Sequence, residues 1–166
     1  MTLAGDLLAV SLELCPAGTG RPSHAHLRRS ISTSYYAAFH ALSDEVARPY
    51  ARDVRLSARR MLDHGSARDV ALTLMNGKMP WLAGRPDCHS HVKQFAEDFE
   101  NLQLARHRAD YDLAYTPTKA DAQTAMQRAE RALVELANAR RSCADQLQAM
   151  CVAMVASPNL RKRMAR

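Results

Sequence analysis

The sequence predicts an all-α protein, an antiparallel up-and-down bundle of four to five helices with a long C-terminal helix. Three observations indicate this fold. Alanine, leucine, arginine and glutamine are plentiful and glycine is scarce, which favours helix because the abundant residues lose little conformational freedom there. Apolar residues recur at three- and four-residue steps between proline and glycine punctuation. The connections between these stretches are short, and no stretch has the pattern of a strand.

The composition fits one soluble domain that needs no metal or cofactor. A chain of 166 residues can bury a core without disulfides, and 47% hydrophobic with 24% charged residues excludes wholesale disorder. The four cysteines lie far apart with no CxxC pair, which indicates reduced thiols and no structural zinc site. No signal segment and no apolar run near about 18 residues is visible, so we expect a cytoplasmic protein without membrane contact.

The first helix is predicted from about Leu3 to Leu14, followed by a loop rich in proline and glycine. Its apolar face would comprise Leu3, Leu7, Leu8, Val10 and Leu14. Ser23 is a typical N-cap for the second helix, which ends before Pro49. The buried stripe of the second helix would comprise Leu27, Ile31, Tyr35, Ala38 and Leu42.

The third helix is predicted from about Asp53 to Leu74, because Asn76-Gly77 is a good C-terminal signal. The fourth helix is predicted from about His89 through Leu113. Its core series is Val92, Phe95, Phe99 and Leu102.

The last helix begins either with Pro117 at its first position or with a capping box of Thr118 and Asp121. From Ala122 a heptad seam extends for roughly 33 residues, about 50 Å at 1.5 Å per residue, with one polar interruption at Arg140. The seam comprises Met126, Ala129, Leu133, Leu136, Arg140, Cys143, Leu147, Met150 and Met154. Such a helix is either one long core helix or one whose C-terminal half packs on a partner chain.

The basic residues are concentrated at the C-terminus. Arg161, Lys162, Arg163 and Arg166 account for four of the net +6 charges. We therefore predict a helical bundle over residues 1–156 and a basic tail over 157–166, which either binds nucleic-acid phosphate or is a solvated end.

The second helix carries a polar stripe beside its apolar stripe. Arg29, Thr33, Tyr36 and His40 are spaced by four, three and four residues. An arginine, a phenol and an imidazole on one face can hold a phosphate and offer a group that titrates near neutral pH. The alternative is structural: the tyrosines pack and hydrogen-bond, and Arg29 pairs with an acid.

The core series of the fourth helix continues into a charged pair. Arg106 follows Leu102 by four residues, and Asp110 follows Arg106 by four. An arginine on a core stripe is costly unless it is paired, and arginine before aspartate is the weaker order for a local pair. We therefore expect a further partner for Arg106, either Thr33 or Tyr36.

Two blocks together resemble the HEPN superfamily of helical nucleotide-binding domains. LRRSISTSYYAAFHAL is similar to the family's second-helix signature, and ARHRADYDLAY to the arginine-x-x-alanine-aspartate-tyrosine block of small stand-alone bacterial members. TPTKADA then opens a further helix, and the match spans about residues 27–136. The resemblance implies a bundle that dimerises so that the fourth-helix sites of two chains face each other.

Many HEPN proteins are metal-independent endoribonucleases, often toxins paired with a nucleotidyltransferase-like antitoxin or parts of anti-phage defence systems. Their hallmark is an arginine and a polar residue, followed by a histidine after four to six positions. Arg106 and His107 match its opening, but residues 108–113 (RADYDL) contain no histidine. In the hallmark chemistry arginine stabilises the charged phosphorane and histidine moves a proton.

Three functions follow as hypotheses. The first is a binding module for RNA or a nucleotide, of the toxin–antitoxin or anti-phage defence type, with a degenerate ribonuclease motif. The second is a metal-independent endoribonuclease in which Arg106 acts together with His107 or His40. The third is a structural adaptor that binds a defence-system protein through its last helix. Ligand contacts are expected from Arg29, Tyr36, Arg106, Asp110 and Tyr111.

Two other arginine–histidine spacings and one cysteine–histidine run are further candidates for a catalytic or metal site. Arg59 to His64 and Arg85 to His91 have the spacing of the hallmark but lie outside the fourth-helix context. Cys88-His89-Ser90-His91 offers half a metal site, but histidines at i and i+2 point apart on a helix and no second ligand pair is evident. No metal is therefore predicted.

Overall fold

The computed structural model describes residues 2–18 and 20–165, and the described chain is all-α, as predicted. It contains eight helices and no strand: α1 (Leu3–Leu14), α2 (His24–Ala47), α3 (Arg55–Arg59), α4 (His64–Met75), α5 (Ser90–Tyr111), α6 (Lys119–Ser142), α7 (Ala144–Val155) and α8 (Pro158–Met164). No helix within these ranges combines the length and the apolar character that a membrane span requires. The described residues divide into two compact units.

The first unit comprises the described residues up to Ala41 together with Asp98–Leu133. It contains α1, most of α2, the second half of α5 and the first part of α6. Contacts between α2 and α5 join Tyr36 to Arg106 and Arg28 to Ala109, so these two helices run antiparallel. The predicted apolar stripe of α2 is buried along its whole length, and the ring of Tyr35 packs 5.6 Å from that of Phe99.

Side-chain caps begin two helices of the first unit where the sequence predicts them. The Ser23 hydroxyl accepts a hydrogen bond of 3.2 Å from the N–H of His26 at the start of α2. At the start of α6, the N–H of Thr118 donates to the Asp121 carboxylate at 2.8 Å, and the N–H of Asp121 donates to the Thr118 hydroxyl at 3.2 Å. The capping box, rather than Pro117, therefore opens α6.

The apolar face predicted for α1 is buried only in part, since Leu7, Leu8 and Leu14 are half-buried. Leu3 and Val10 are exposed, whereas Ala4 and Ser11 are buried. Ser11 pairs with serines of α2, its hydroxyl lying 3.1 Å from that of Ser30 and 2.7 Å from that of Ser34. Small hydroxyl side chains satisfy each other across this contact, and the leucines lie beside it.

The second unit comprises Leu42–Glu97 and the described residues from Val134 onward. The single helix predicted over 53–74 is wrong, because the segment forms α3 and α4. Asp63 interrupts it as an N-cap, accepting a hydrogen bond of 2.8 Å from the N–H of Ser66. The predicted stop is confirmed: α4 ends at Met75, and Gly77 adopts φ +78°, which glycine tolerates without strain.

The long final helix is not confirmed, because α6 ends at Ser142 and α7 begins at Ala144. Between them Cys143 adopts φ −151° and ψ 55°, outside the helical region, so the i to i−4 ladder stops there. The seam residues beyond the break, Leu147, Met150 and Met154, are nevertheless buried. The polar interruption at Arg140 is offset by an ion pair with Glu45.

The C-terminal segment contains a helix. Pro158 stands at the start of α8, and the Ser157 hydroxyl accepts from the N–H of Leu160 at 3.3 Å. The Arg161 side chain is 11% exposed and donates to the Ser66 carbonyl at 3.3 Å. Arg161 therefore stabilises the second unit, whereas Arg166 lies outside the described residues. The division into a bundle over 1–156 and a tail over 157–166 stays a prediction.

Candidate functional site

A single arginine of α5 lies among three tyrosine rings in the first unit. The guanidinium carbon of Arg106 is 5.8 Å from the ring centre of Tyr35, 5.6 Å from that of Tyr36 and 5.3 Å from that of Tyr111. Its Nη2 donates to the Tyr36 hydroxyl at 3.0 Å and to the Tyr111 hydroxyl at 3.3 Å. We call Tyr35, Tyr36, Arg106, Asp110 and Tyr111 the Arg106 cluster.

Asp110 supplies the negative charge of the cluster. Its Oδ2 lies 2.9 Å from Nε of Arg106 and accepts a hydrogen bond of 3.1 Å from Ser32. The Nε–H is not aligned with this carboxylate, so the contact is an ion pair without a directed hydrogen bond. Tyr36, one of the two expected partners, thus pairs with Arg106, and Ser32 supports its counter-ion.

The electrostatics of the cluster keep its cation charged and its innermost phenol neutral. Burial disfavours the charge on Arg106, but the hydrogen bond to Tyr36 and the nearby Tyr111 and Asp110 outweigh burial, so its pKa is raised. Burial also raises the pKa of Tyr35 far above its ordinary value, against the lowering effect of Arg106. Tyr35 therefore remains a neutral phenol at physiological pH.

Two histidines pack on tyrosines of the cluster. The ring of His40 is 6.5 Å from that of Tyr36, one turn away on α2. The ring of His107, which is exposed, is 5.1 Å from that of Tyr111, one turn away on α5. Each tyrosine touches Arg106, so the two candidate imidazoles are each one aromatic ring removed from the guanidinium.

The structure separates the two neighbouring arginines of α2. Arg29, which the sequence predicts as a ligand residue, is exposed and makes no ion pair or hydrogen bond among the described residues. Arg28 instead donates to the carbonyls of Ala109 at 2.7 Å and Asp112 at 2.9 Å, and also to that of Tyr115. It satisfies one carbonyl in the last turn of α5 and two in the segment that follows this helix.

A cleft of about 540 Å³ lies between α5 and α6. No residue of the Arg106 cluster lines it, but His107 does, and the His107 ring packs on Tyr111 of the cluster. The charged and aromatic lining of the cleft comprises His107, Arg108, Tyr115, Asp121 and Arg128. Arg108 stacks on Tyr115 with its guanidinium carbon 4.3 Å from the ring centre. Sequence reasoning missed Arg108 and Arg128. The available signal was that Arg128 follows the buried Ala125 by three residues on the same helix. Nothing in the pattern showed which helix Arg128 would face.

Residues of the two other arginine–histidine motifs, Arg59–His64 and Arg85–His91, form ion pairs within the second unit. Arg59 forms an ion pair with Asp44 at 2.7 Å. His91 Nδ1 lies 2.6 Å from Glu135. Among residues 2–18 and 20–165, no three histidine, cysteine, aspartate or glutamate side chains converge in a way that could hold a metal ion.

The arrangement defines a class of site: an aromatic-lined guanidinium next to a basic cleft on an all-helical scaffold. Comparison of the chain with protein-family models, with curated proteins and with solved structures found no match.

Proposed function

We propose that this chain binds RNA or a nucleotide through the Arg106 cluster and the adjacent α5–α6 cleft, as a HEPN-like bundle of a prokaryotic toxin–antitoxin or anti-phage defence system. The observation that carries the proposal is the position of Arg106. Its charge is held among three tyrosine rings, and its Nη1 donates to no described residue. An arginine placed in this way offers a phosphate a charged donor that is already oriented.

The surroundings favour a nucleic-acid ligand over a simple anion. Tyr111 has 60% of its surface exposed, so a base can stack on its outer face. Arg108 and Arg128 line the cleft with one carboxylate, Asp121, which the α6 capping box already engages. The cleft therefore has an excess of positive charge in which phosphates can lie.

Binding to single-stranded RNA tests this proposal. We would titrate the protein into a fluorescein-labelled single-stranded RNA of mixed sequence, with ATP as a separate probe that distinguishes a nucleotide from a strand. Arg106→Gln should weaken RNA binding by at least about tenfold, because one charged contact to phosphate is lost. It should also reduce the slope of log K against log salt by about 0.7.

Two further variants keep this test independent of folding. Tyr111→Leu replaces an exposed ring and should weaken binding by about fivefold or more, since stacking of one base contributes about 1–3 kcal/mol. Arg52→Gln removes an exposed arginine of the second unit and should change affinity less than about twofold. Equal losses for Arg52→Gln and Arg106→Gln, or Tyr111→Leu binding as tightly as wild type, would contradict the proposal.

A second candidate is metal-independent RNA cleavage, favoured by the two imidazoles flanking the cluster. In this reaction the 2′-oxygen attacks phosphorus and the bond to the 5′-oxygen of the next nucleotide breaks. His40 or His107 accepts the 2′-hydroxyl proton, Arg106 stabilises the negative charge on the non-bridging phosphate oxygens, and the departing 5′-oxygen takes a proton from water. Incubation with RNA in the presence of EDTA tests it. Loss of cleavage in His107→Ala or His40→Ala, with RNA binding retained, would assign the proton transfer. Intact RNA with the wild-type protein would leave binding as the function.

The homodimer stays part of the proposal, together with a nucleotidyltransferase-like antitoxin or another defence protein as partner. The exposed apolar side chains Leu3 and Val10, seven residues apart on one face of α1, offer a surface for a partner chain. Sedimentation velocity of the wild type and of Val10→Glu tests this surface. A wild-type monomer, or a dimer unaffected by Val10→Glu, would exclude α1 as the contact.

A further inference from the structure

An apolar groove of about 570 Å³ lies in the second unit, on the face that α7 presents after the break at Cys143. We call it the α7 groove. Its apolar lining comes from the end of α2, the turn that follows it, and one stripe of α7: Val46, Pro49, Tyr50, Leu147, Val152 and Val155. The volume falls within the range of about 300–1,000 Å³ that is typical of small-molecule sites.

The walls of the groove leave apolar surface in contact with water. Val152 is 44% exposed and Tyr50 is 41% exposed. The α7 side chains that line the groove follow the three- and four-residue steps of one helix face, so they form one largely apolar strip. A continuous apolar strip in a concave surface is typical of a binding site for an apolar ligand or segment.

One end of the groove carries two arginines on a single carboxylate. Glu45 is buried, and its oxygens accept from Arg48 Nε at 2.9 Å and Arg48 Nη2 at 3.0 Å. Arg140 donates to both oxygens of the same carboxylate, at 3.3 Å from Nε. The two guanidinium side chains are 51% and 41% exposed, so solvent and ligands can reach them.

The charges of Arg48, Arg140 and Glu45 do not cancel. Two guanidinium groups share one carboxylate, which leaves one positive charge at the mouth of an apolar groove. The neighbouring carboxylate of Asp44 is paired with Arg59 at 2.7 Å and does not supply the missing negative charge. An anionic group beside Arg48 and Arg140 would complete the balance.

We infer that the α7 groove binds a small amphiphilic monoanion, an aliphatic carboxylate whose tail lies against Val152 and Val155 and whose head meets Arg48 and Arg140. A single carboxylate neutralises the one excess charge, whereas a phosphate monoester, with about −1.5 to −2 at pH 7, would overcompensate it. All lining residues belong to the second unit, so this inference does not depend on RNA binding by the Arg106 cluster.

Calorimetric titration with decanoate tests the inference. Decanoate should bind at one site, and butyrate, which has the same head with a short tail, should bind at least about a hundredfold more weakly, because each buried methylene adds to affinity. Decyltrimethylammonium has the same tail length and the opposite charge, and it should bind at least about tenfold more weakly than decanoate.

Matched variants locate the site. Val152→Glu places a carboxylate in the groove and should reduce decanoate affinity at least about tenfold, whereas Val134→Glu makes the same change at an exposed valine outside the groove and should leave it unchanged. Arg140→Gln removes the excess charge but leaves Glu45 paired with Arg48, and it should also cost about tenfold. Arg141→Gln, its exposed neighbour, is the control.

Three results would overturn the inference. One is the absence of decanoate binding to the wild type, and another is equal affinity for decanoate and decyltrimethylammonium. The third is a wild-type dimer that Val152→Glu dissociates and decanoate does not, which would assign the groove to a second copy of the chain. Binding of decanoate that Val152→Glu and Arg140→Gln both weaken, with the two control variants unaffected, supports it.

Discussion

Replacing Arg106 by methionine should destabilise the protein by about 3 kcal/mol. Methionine keeps much of the aliphatic volume but removes the charge, both phenol hydrogen bonds and the counter-ion of Asp110. The three ring contacts, at about 0.5–1 kcal/mol each, are worth about 2 kcal/mol together. The hydrogen bond to Tyr36 is worth about 1.5 kcal/mol because its donor is charged.

The total is smaller than these contributions suggest, because one guanidinium makes all the contacts and they are not additive. The Asp110 side chain, 18% exposed, keeps its hydrogen bond from Ser32, so loss of its ion pair adds about 1 kcal/mol and not the full cost of an isolated buried charge. A loss of about 3 kcal/mol corresponds to a fall in Tm of about 6–12 °C for a chain of this size.

Urea unfolding followed by far-ultraviolet circular dichroism measures this loss, with Arg52→Met as the control for removal of an exposed arginine. Asp110→Asn and the double variant complete a cycle, whose coupling energy should be about 1 kcal/mol because the two charges touch. A loss below about 1 kcal/mol for Arg106→Met would show that the tyrosine contacts of Arg106 do not stabilise the fold. A coupling energy of zero would show that Arg106 and Asp110 do not form a stabilising ion pair.

Three further predictions concern single side chains. Arg28→Ala removes the donors that satisfy one carbonyl in the last turn of α5 and two in the segment that follows, and it should cost about 2 kcal/mol in urea unfolding. Arg29→Ala should cost less than about 0.5 kcal/mol, and equal costs for the two variants would contradict the different roles of these arginines. Asp121→Ala should cost about 1 kcal/mol near pH 7. The hydrogen bond from the Thr118 N–H lowers the Asp121 pKa below 3.8, so this stabilisation is present above that value and is lost as the pH falls through the folded-state pKa. A stability difference that is as large at pH 2 as at pH 7 would contradict this. Burial raises the pKa of Cys88 from 9.0 to about 11, so iodoacetamide at pH 8 should alkylate it about a hundredfold more slowly in the folded protein than in urea, and a difference below tenfold would contradict this.

Local patterns in the sequence determined the helical class, most helix boundaries and the buried stripes of α2 and α5. The stripes of α2 and α5 are buried as predicted, because a side chain's position around a helix depends only on its spacing along the chain. The caps at Ser23 and Thr118 were equally predictable, since a cap forms between residues three positions apart. The pairing of Arg106 with Asp110 was predictable as well, since residues four positions apart lie on the same face of a helix.

Tertiary packing decided which polar residues share a site. Arg28 and Arg29 are adjacent and chemically identical, yet consecutive residues lie about 100° apart around a helix, so only the position of α5 gives Arg28 its carbonyls. The break at Cys143 follows no proline or glycine, and no local signal placed it. Beyond this break Leu147 and Met150 are buried, and just before it Arg140 pairs with Glu45, which lies 95 residues earlier in the chain. Spacing along the chain determines which face of a helix is apolar, but only the folded chain determines what that face meets.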